Sequence, residues 1–302
     1  MSTGPRIALA TSTGVWSDDV DAPLLVDALG ALGAQAGPAI WDDASVDWST
    51  FDLVVIRSTW DYVSRRDEFL DWARRVESVT RLENPATVLA WNTDKHYLGE
   101  LAAAGLPVVP TVFLDAADPA SQDRAADPFS ALSHGGDIVV KPTVSAGSRD
   151  TARHPAGAVD AAAAHARSLL GAGRDVMVQP YLGRVDEHGE TGMVLLRGEL
   201  SHGFRKGALL RDGAAEVEGL YAPEEIGPRT PRPAEVELAR RVHDEAARLT
   251  GVGPLLYARV DVLPGPDGAP VLLELEATEP SLFLAQSNGA AERAAAAILD
   301  AV

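Results

Sequence analysis

Two glutamates, Glu274 and Glu276, stand two residues apart in the apolar run LLELEATEPSLFL (272–284). Side chains two apart on a strand share one face. Just upstream, LLYARVDVLPGPDGAPVLLELE (255–276) carries the turn formers Gly265, Pro266, Asp267 and Gly268, the signature of a hairpin. A symmetric hairpin centred between Asp267 and Gly268 sets Asp261 opposite Glu274 and Arg259 opposite Glu276. One face then carries Arg259, Asp261, Glu274 and Glu276; the other carries Ala258, Val260, Val262, Leu273 and Leu275. Opposed like charges destabilise a sheet, so three carboxylates with one guanidinium need a further cation. Mg2+ fits: it takes a few carboxylates and completes its octahedron with phosphate oxygens and water. The competing reading is a solvated strand face with an Arg259–Glu276 salt bridge, a pairing worth little.

The lysines narrow the choice. Of 26 basic residues only three are lysines: Lys95, Lys141 and Lys206. A compact ammonium at three isolated positions suggests three point-charge sites, with chance as the alternative. Lys141 ends the strand DIVVKP and precedes Ser145, Ala146, Gly147 and Ser148. Small residues let backbone N–H groups close around an anion, although a surface turn would look the same. Neither a P-loop nor a dinucleotide-binding glycine motif is present. VMVQPYLG (176–183) is an apolar strand broken at Pro180. The proline removes a ladder donor and leaves the flanking backbone to bond another group, such as an adenine edge, or simply to end the strand. Glu190 precedes one strand of the next segment, and Arg205 and Lys206 follow the second. No Ser–His–Asp pattern occurs; His134 and His202 read as solvated or structural.

The elements that must position these groups alternate at first between strand and helix. Strands at 6–10 and 51–58 and helices at 22–33 and 65–78 imply a parallel α/β domain over residues 1–90. Ligands in such sheets sit beyond the carboxyl ends of strands, where Arg57 and Ser58 stand. Asn92–Gly105 reads as one helix, opening a linker and small central subdomain over 91–182. The stretch 115–127 reads as a flexible connection. A C-terminal subdomain, 183–302, holds two strands, the helix PAEVELARRVHDEAARLTG, the hairpin and an Ala-rich helix. The fold class is α/β, becoming α+β in the C-terminal half. No repeat is found. The net charge of −18 argues against nucleic acid as a partner. The absence of cysteine removes disulfides, thiolate nucleophiles and Cys-based zinc sites. No membrane-length apolar run or signal-peptide start is evident, so a cytoplasmic protein is expected, with a homodimer as the default.

Taken in order, an N-terminal α/β domain, the pair DK at Asp94–Lys95, VVKP with its small-residue loop, VQPYL, a distal lysine and R-x-D…E-x-E resemble the ATP-grasp superfamily. The resemblance runs from about Asn84 to Ser281, and the thirteen-residue gap from Asp261 to Glu274 matches its acidic hairpin. It implies ATP and two Mg2+ ions as cofactors. Lys95 and Lys141 would contact the nucleotide, and Ser145, Ala146, Gly147 and Ser148 would cover the phosphates. Gln179, Tyr181 and Leu182 would line the adenine. Glu190 would bond the ribose, with Asp186 as the alternative. Lys206 would reach the γ-phosphate, Asp261, Glu274 and Glu276 would hold the metal, and Arg259 would neutralise the transferred phosphate. The superfamily commonly has Asn at the position of Glu276. IRSTWDY, WNTDK, KPTVSAGSRDT and ELEATEPSLFL resemble more narrowly the group of D-cycloserine synthetases. That likeness implies ATP-driven ring closure of a small amino-acid-like substrate, with Arg57 and Ser58 on its head group and Glu279 and Ser281 near its amine. An intermolecular carboxylate–amine ligase and a nucleotide-binding regulator without turnover are the alternatives.

Overall fold

The computed structural model describes residues 4–132, 136–210 and 225–302; His134 lies outside the described residues. Strands β1 (Arg6–Thr11), β2 (Gln35–Ile40), β3 (Leu53–Ser58) and β4 (Arg81–Glu83) alternate with helices α1 (Ala22–Ala31) and α2 (Arg66–Glu77). The strands pair in parallel in the order β2-β1-β3-β4. All six residues of β3 are buried, as a strand covered on both faces requires. Helix α2 buries Phe69, Leu70, Trp72, Ala73 and Val76, one stripe at helical spacing.

Helices α3 (Ala86–Asn92) and α4 (Tyr97–Ala103) come next, where the sequence suggests one helix from Asn92. Tertiary bonds interrupt it. The Asn92 amide donates to Leu275 O at 2.8 Å and its oxygen accepts Ala277 N–H at 2.7 Å. Lys95 N–H donates to Thr143 O at 3.0 Å. The Lys95 N–H that a continuing helix would need is committed elsewhere.

Strand β5 (Val112–Leu114), short helices α5 (Ala120–Asp123) and α6 (Asp127–Leu132), β6 (Ile138–Pro142), β7 (Ala152–His154), α7 (Val159–Gly171) and β8 (Val176–Pro180) build the middle region. Its antiparallel sheet runs β5-β8-β6-β7. The connection expected to be flexible is instead partly helical. Asp115 and Asp118 accept Ala117 and Ala120 N–H groups at 2.7 and 3.0 Å, and Ala125 and Phe129 are buried in the core beneath α7.

The remainder comprises α8 (Val185–His188), β9 (Glu190–Leu196), β10 (Glu199–Lys206), β11 (Ile226–Pro228), α9 (Pro233–Thr250), β12 (Tyr257–Pro264), β13 (Pro270–Glu276) and α10 (Ala290–Leu299). Its antiparallel sheet is β11-β10-β9-β12-β13. Helix α9 begins at Pro233 and ends before Gly251, whose φ is 70°, the N-terminal proline and C-terminal glycine that helices favour. It buries Leu238, Ala239, Val242 and Ala246. Helix α10 packs back on α1 and the first sheet within one hydrophobic cluster. Among the described residues no helix is long and apolar enough to cross a membrane.

Candidate active site

Strands β12 and β13 pair antiparallel, with Arg259 opposite Glu276 and Asp261 opposite Glu274. Beyond Asp261 the register shifts by one, so that Val262 faces Leu272. A bulge adds one residue and reverses which side chain points inward. Leu272 and Leu275 therefore fill the core, and Leu273, expected there, lines a cavity instead. Above the bulge the four charged side chains share a face, and Arg259 spans them. Its Nε donates to Asp261 Oδ1 at 3.1 Å, its Nη2 to Asp261 Oδ2 at 2.9 Å and also to Glu276 Oε1.

All three lysines converge on this face. Lys95 Nζ lies 3.1 Å from Glu274 Oε1 and donates to Ser145 O at 2.7 Å. Lys206, directly opposite Glu190 in the β9–β10 ladder, lies 3.4 Å from Asp261 Oδ2 and 3.6 Å from Glu190 Oε2. Lys141, next to last in β6, lines the same cavity; burial holds its amine below the ordinary value against the pull of Glu274. The two hairpin glutamates diverge. Burial would raise Glu274, but Lys95 and Lys141 outweigh it and hold the carboxyl well below the usual range. For Glu276, burial together with repulsion from Glu274 and Asp261 outweighs Arg259 and holds the carboxyl above that range. Among the described residues no three acid or imidazole side chains gather around one metal-sized point, because each hairpin carboxylate is turned onto a cation.

The cavity measures about 430 Å³. Ser145, Ala146, Gly147 and Ser148 form part of its wall, and Gly147 and Ser148 adopt φ of 62° and 59°. Gln179, Tyr181 and Leu182 also line it. The backbone after Pro180 is less free than expected, since Tyr181 N–H donates to Asp137 O at 2.8 Å, and the Gln179 amide donates to Thr111 Oγ1 at 2.9 Å. Apolar Val109, Val139, Leu263 and Leu273 complete that side, a slot suited to a planar ring. These four were not singled out from sequence; apolar strand residues carry no mark separating core from pocket, and the bulge moved Leu273. Glu190 lines the cavity, whereas Asp186 bonds the Tyr181 hydroxyl outside it.

Trp60, Tyr62, Glu279, Ser281 and Phe283 form another part of the wall. Arg57 and Ser58 do not line the cavity. Arg57 is 1% exposed, donates to Pro280 O at 3.1 Å, and lies 3.7 and 3.6 Å from the carboxylates of Asp19 and Asp21. Ser58 bonds Thr11 Oγ1 at 2.8 Å. Both are buried because β3 is central to its sheet, so neither is placed to touch a head group.

An α/β domain followed by antiparallel sheets around a lysine-rich cavity is the architecture of the ATP-grasp ligases. The ATP-grasp ligase PsnB complexed with minimal precursor shares it at TM-score 0.64 and 19% identity, over 99% of this chain and 100% of that one. D-alanyl-alanine synthetase A from Vibrio cholerae matches at TM-score 0.69 and 16% identity, over 99% and 100%. The model for the N-terminal domain of D-cycloserine synthetase DcsG matches residues 7–84. Cycloserine biosynthesis protein DcsG of Streptomyces lavendulae is 38% identical, covering 97% of this chain and 98% of that protein. The crystal structure of D-cycloserine synthetase DcsG aligns at TM-score 0.90 and 36% identity, over 98% and 99%. The chain belongs to the D-cycloserine synthetase family and is an ATP-dependent ligase.

Proposed function

We propose that this ligase closes O-ureido-D-serine to D-cycloserine, using ATP to activate a carboxyl oxygen and forming a C–N bond within one molecule. The observation that carries this reading is the mutual pairing of Lys95, Lys206 and Arg259 with Glu274, Asp261 and Glu276 in the cavity. Asp261, Glu274, Glu276 and Glu190 face Lys95, Lys141, Lys206 and Arg259, so acids and bases engage one another before a ligand enters. A triphosphate brings surplus negative charge. Its phosphates compete for the lysines, and each lysine that turns to phosphate releases a carboxylate. Asp261, Glu274 and Glu276 are hard oxygen donors fit to hold Mg2+, and we assign two ions to them. ATP supplies the phosphoryl group that turns the carboxyl oxygen into a leaving group.

The chain's own residues position and neutralise, which is most of what phosphoryl transfer requires. Lys95 and Lys141 hold phosphate oxygens under the Ser145–Ser148 loop, and Gln179, Tyr181 and Leu182 flank the base. Glu190 takes the ribose. Lys206 and Arg259 neutralise the transferring phosphoryl group. Glu279 and Ser281 face the amino-acid-like substrate in the part of the cavity bounded by Trp60 and Tyr62. The test is to supply Mg2+, ATP and O-ureido-D-serine and to follow phosphate release and product mass. Release of phosphate with the ring product and no added acceptor supports the proposal. Release only when a separate amine is added identifies an intermolecular ligase, and no release contradicts it.

A further inference from the structure

A nitrogen that attacks an activated carbonyl must give up a proton, and the hairpin acids are engaged. Glu274 pairs with Lys95, Asp261 with Arg259 and Lys206, Glu276 with Arg259, and Glu190 with Lys206. Among the described half-buried carboxylates lining the cavity, Glu279 alone has no ion-pair partner. Tyr62 lines the same part of the cavity and lowers the pKa of the Glu279 carboxyl.

The loop that presents Glu279 is tied at nearly every residue. Ala277 N–H donates to Asn92 Oδ1 at 2.7 Å and Tyr257 donates to Thr278 O at 2.9 Å. Trp60 Nε1 donates to Glu279 O at 3.3 Å, Arg57 to Pro280 O at 3.1 Å, and Arg259 to Ser281 O at 3.1 Å. The Asp21 carboxylate accepts three successive N–H groups, from Leu282, Phe283 and Leu284, at 2.6, 2.9 and 2.7 Å. Phe283 holds φ 49° in that turn. A loop held this way from both the N-terminal domain and the last sheet fixes where its one inward carboxylate points.

We propose that Glu279, with Tyr62 beside it, is the general base that takes the proton from the attacking nitrogen. This rests on the ligase reading above. The nitrogen lone pair forms the C–N bond, the activated C–O bond breaks, phosphate leaves with that electron pair, and the N–H proton passes to a Glu279 oxygen; this gives the N-carbamoyl ring, from which water then removes the carbamoyl group as carbon dioxide and ammonia. The groups facing this carboxyl suit the task. Burial raises it to about 7, opposed by Tyr62, Lys95 and its own backbone N–H and aided by Glu274, close to the pH at which a general base is most effective. Tyr257, whose hydroxyl feels both Glu279 and Arg57, and Arg57 itself, bonded to the adjoining Pro280 O, stand nearby.

The experiment compares wild-type protein, Glu279→Gln and Tyr62→Phe with Mg2+, ATP and O-ureido-D-serine, with and without hydroxylamine. Hydroxylamine intercepts the activated carboxyl without needing a base. Glu279→Gln is expected to lose ring closure by ~10²- to 10⁴-fold while still forming hydroxamate and ADP within a few-fold of wild type. In wild type, kcat/KM is expected to fall as pH drops below about 7. Tyr62→Phe removes a group that lowers the Glu279 pKa, so that acidic limb moves to higher pH. Retained ring closure in Glu279→Gln overturns the assignment, as does loss of hydroxamate together with ring product, or an acidic limb unmoved in Tyr62→Phe. A wild-type protein that releases no phosphate with this substrate refutes the ligase reading itself and removes the basis of the assignment.

Discussion

Glu274 and Glu276 are neighbours on one face, yet their charges have opposite consequences. Lys95 and Lys141 hold Glu274 ionised, so its charge contributes stability above the ordinary carboxylate pKa. Burial holds Glu276 toward its protonated form, so its charge costs stability at neutral pH. Without nucleotide, Glu274→Gln is expected to lower the thermal midpoint at pH 7, and Glu276→Gln to leave it unchanged or raise it. Calorimetric melting of the two variants checks this. In assays, Glu274→Gln is expected to retain its fold but lose turnover by at least ~10²-fold, the scale for removing one electrostatic contact to a reacting centre. Sequence alone located this charged set. Arg259, Asp261, Glu274 and Glu276 are conspicuous because charge is rare in apolar strands, and the three lysines because lysine is rare in this chain. Arg57 stood out by its place at a strand's carboxyl end but serves inside the molecule, since sequence does not tell an arginine that lines a cavity from one that ties a loop to buried acids.

At the scale of elements, the hairpin was legible in outline but not in its register near the turn. The expected pairing of Arg259 with Glu276 and Asp261 with Glu274 is met, whereas between the turn and the bulge the pairs are offset by one, as in Val262 with Leu272. The added residue that moved Leu273 to the cavity left no trace in composition. Helix α9 was legible at both ends because proline and glycine mark them. The break between α3 and α4 was not, because Asn92 reaches partners some 180 residues away in sequence. Strand β9 carries a constraint of similar kind. A Cβ at Gly192 would lie 2.3 Å from the buried Phe204 ring. Gly192 also stands opposite Asp261 in the β9–β12 ladder. Gly192→Ala is expected to destabilise the fold by about 1–3 kcal/mol, the usual cost of overpacking, as read by denaturant unfolding. A substitution without measurable cost would show that the sheet relaxes freely there.

Over the whole molecule, the N-terminal domain serves the cavity mainly by holding its far wall. Asn84 bonds Leu256, Tyr257 and Ala277 at 2.7–2.9 Å, and Asp21 gathers the turn at Leu282–Leu284 beside the buried Arg57. Asp21→Ala would leave three N–H groups without their acceptor and remove one of the two carboxylates beside the buried Arg57. Losing one partner of a buried charge costs about 3–5 kcal/mol, so a large drop in thermal midpoint is expected. Asp21→Asn keeps an acceptor and should recover part of it. These long-range ties were not readable from sequence, because Asp19, Asp21 and Arg57 resemble surface residues until the fold buries them. The central claim is that acids on adjacent strands and the lysines around them form a Mg·ATP site. Calorimetric titration with a non-hydrolysable ATP analogue, with and without Mg2+, tests it in wild type and in an Asp261→Asn/Glu274→Gln double variant. The account predicts uptake strengthened by Mg2+ in wild type and a variant whose uptake no longer responds to the metal. Equal metal dependence in both proteins, or no uptake by wild type, would contradict it.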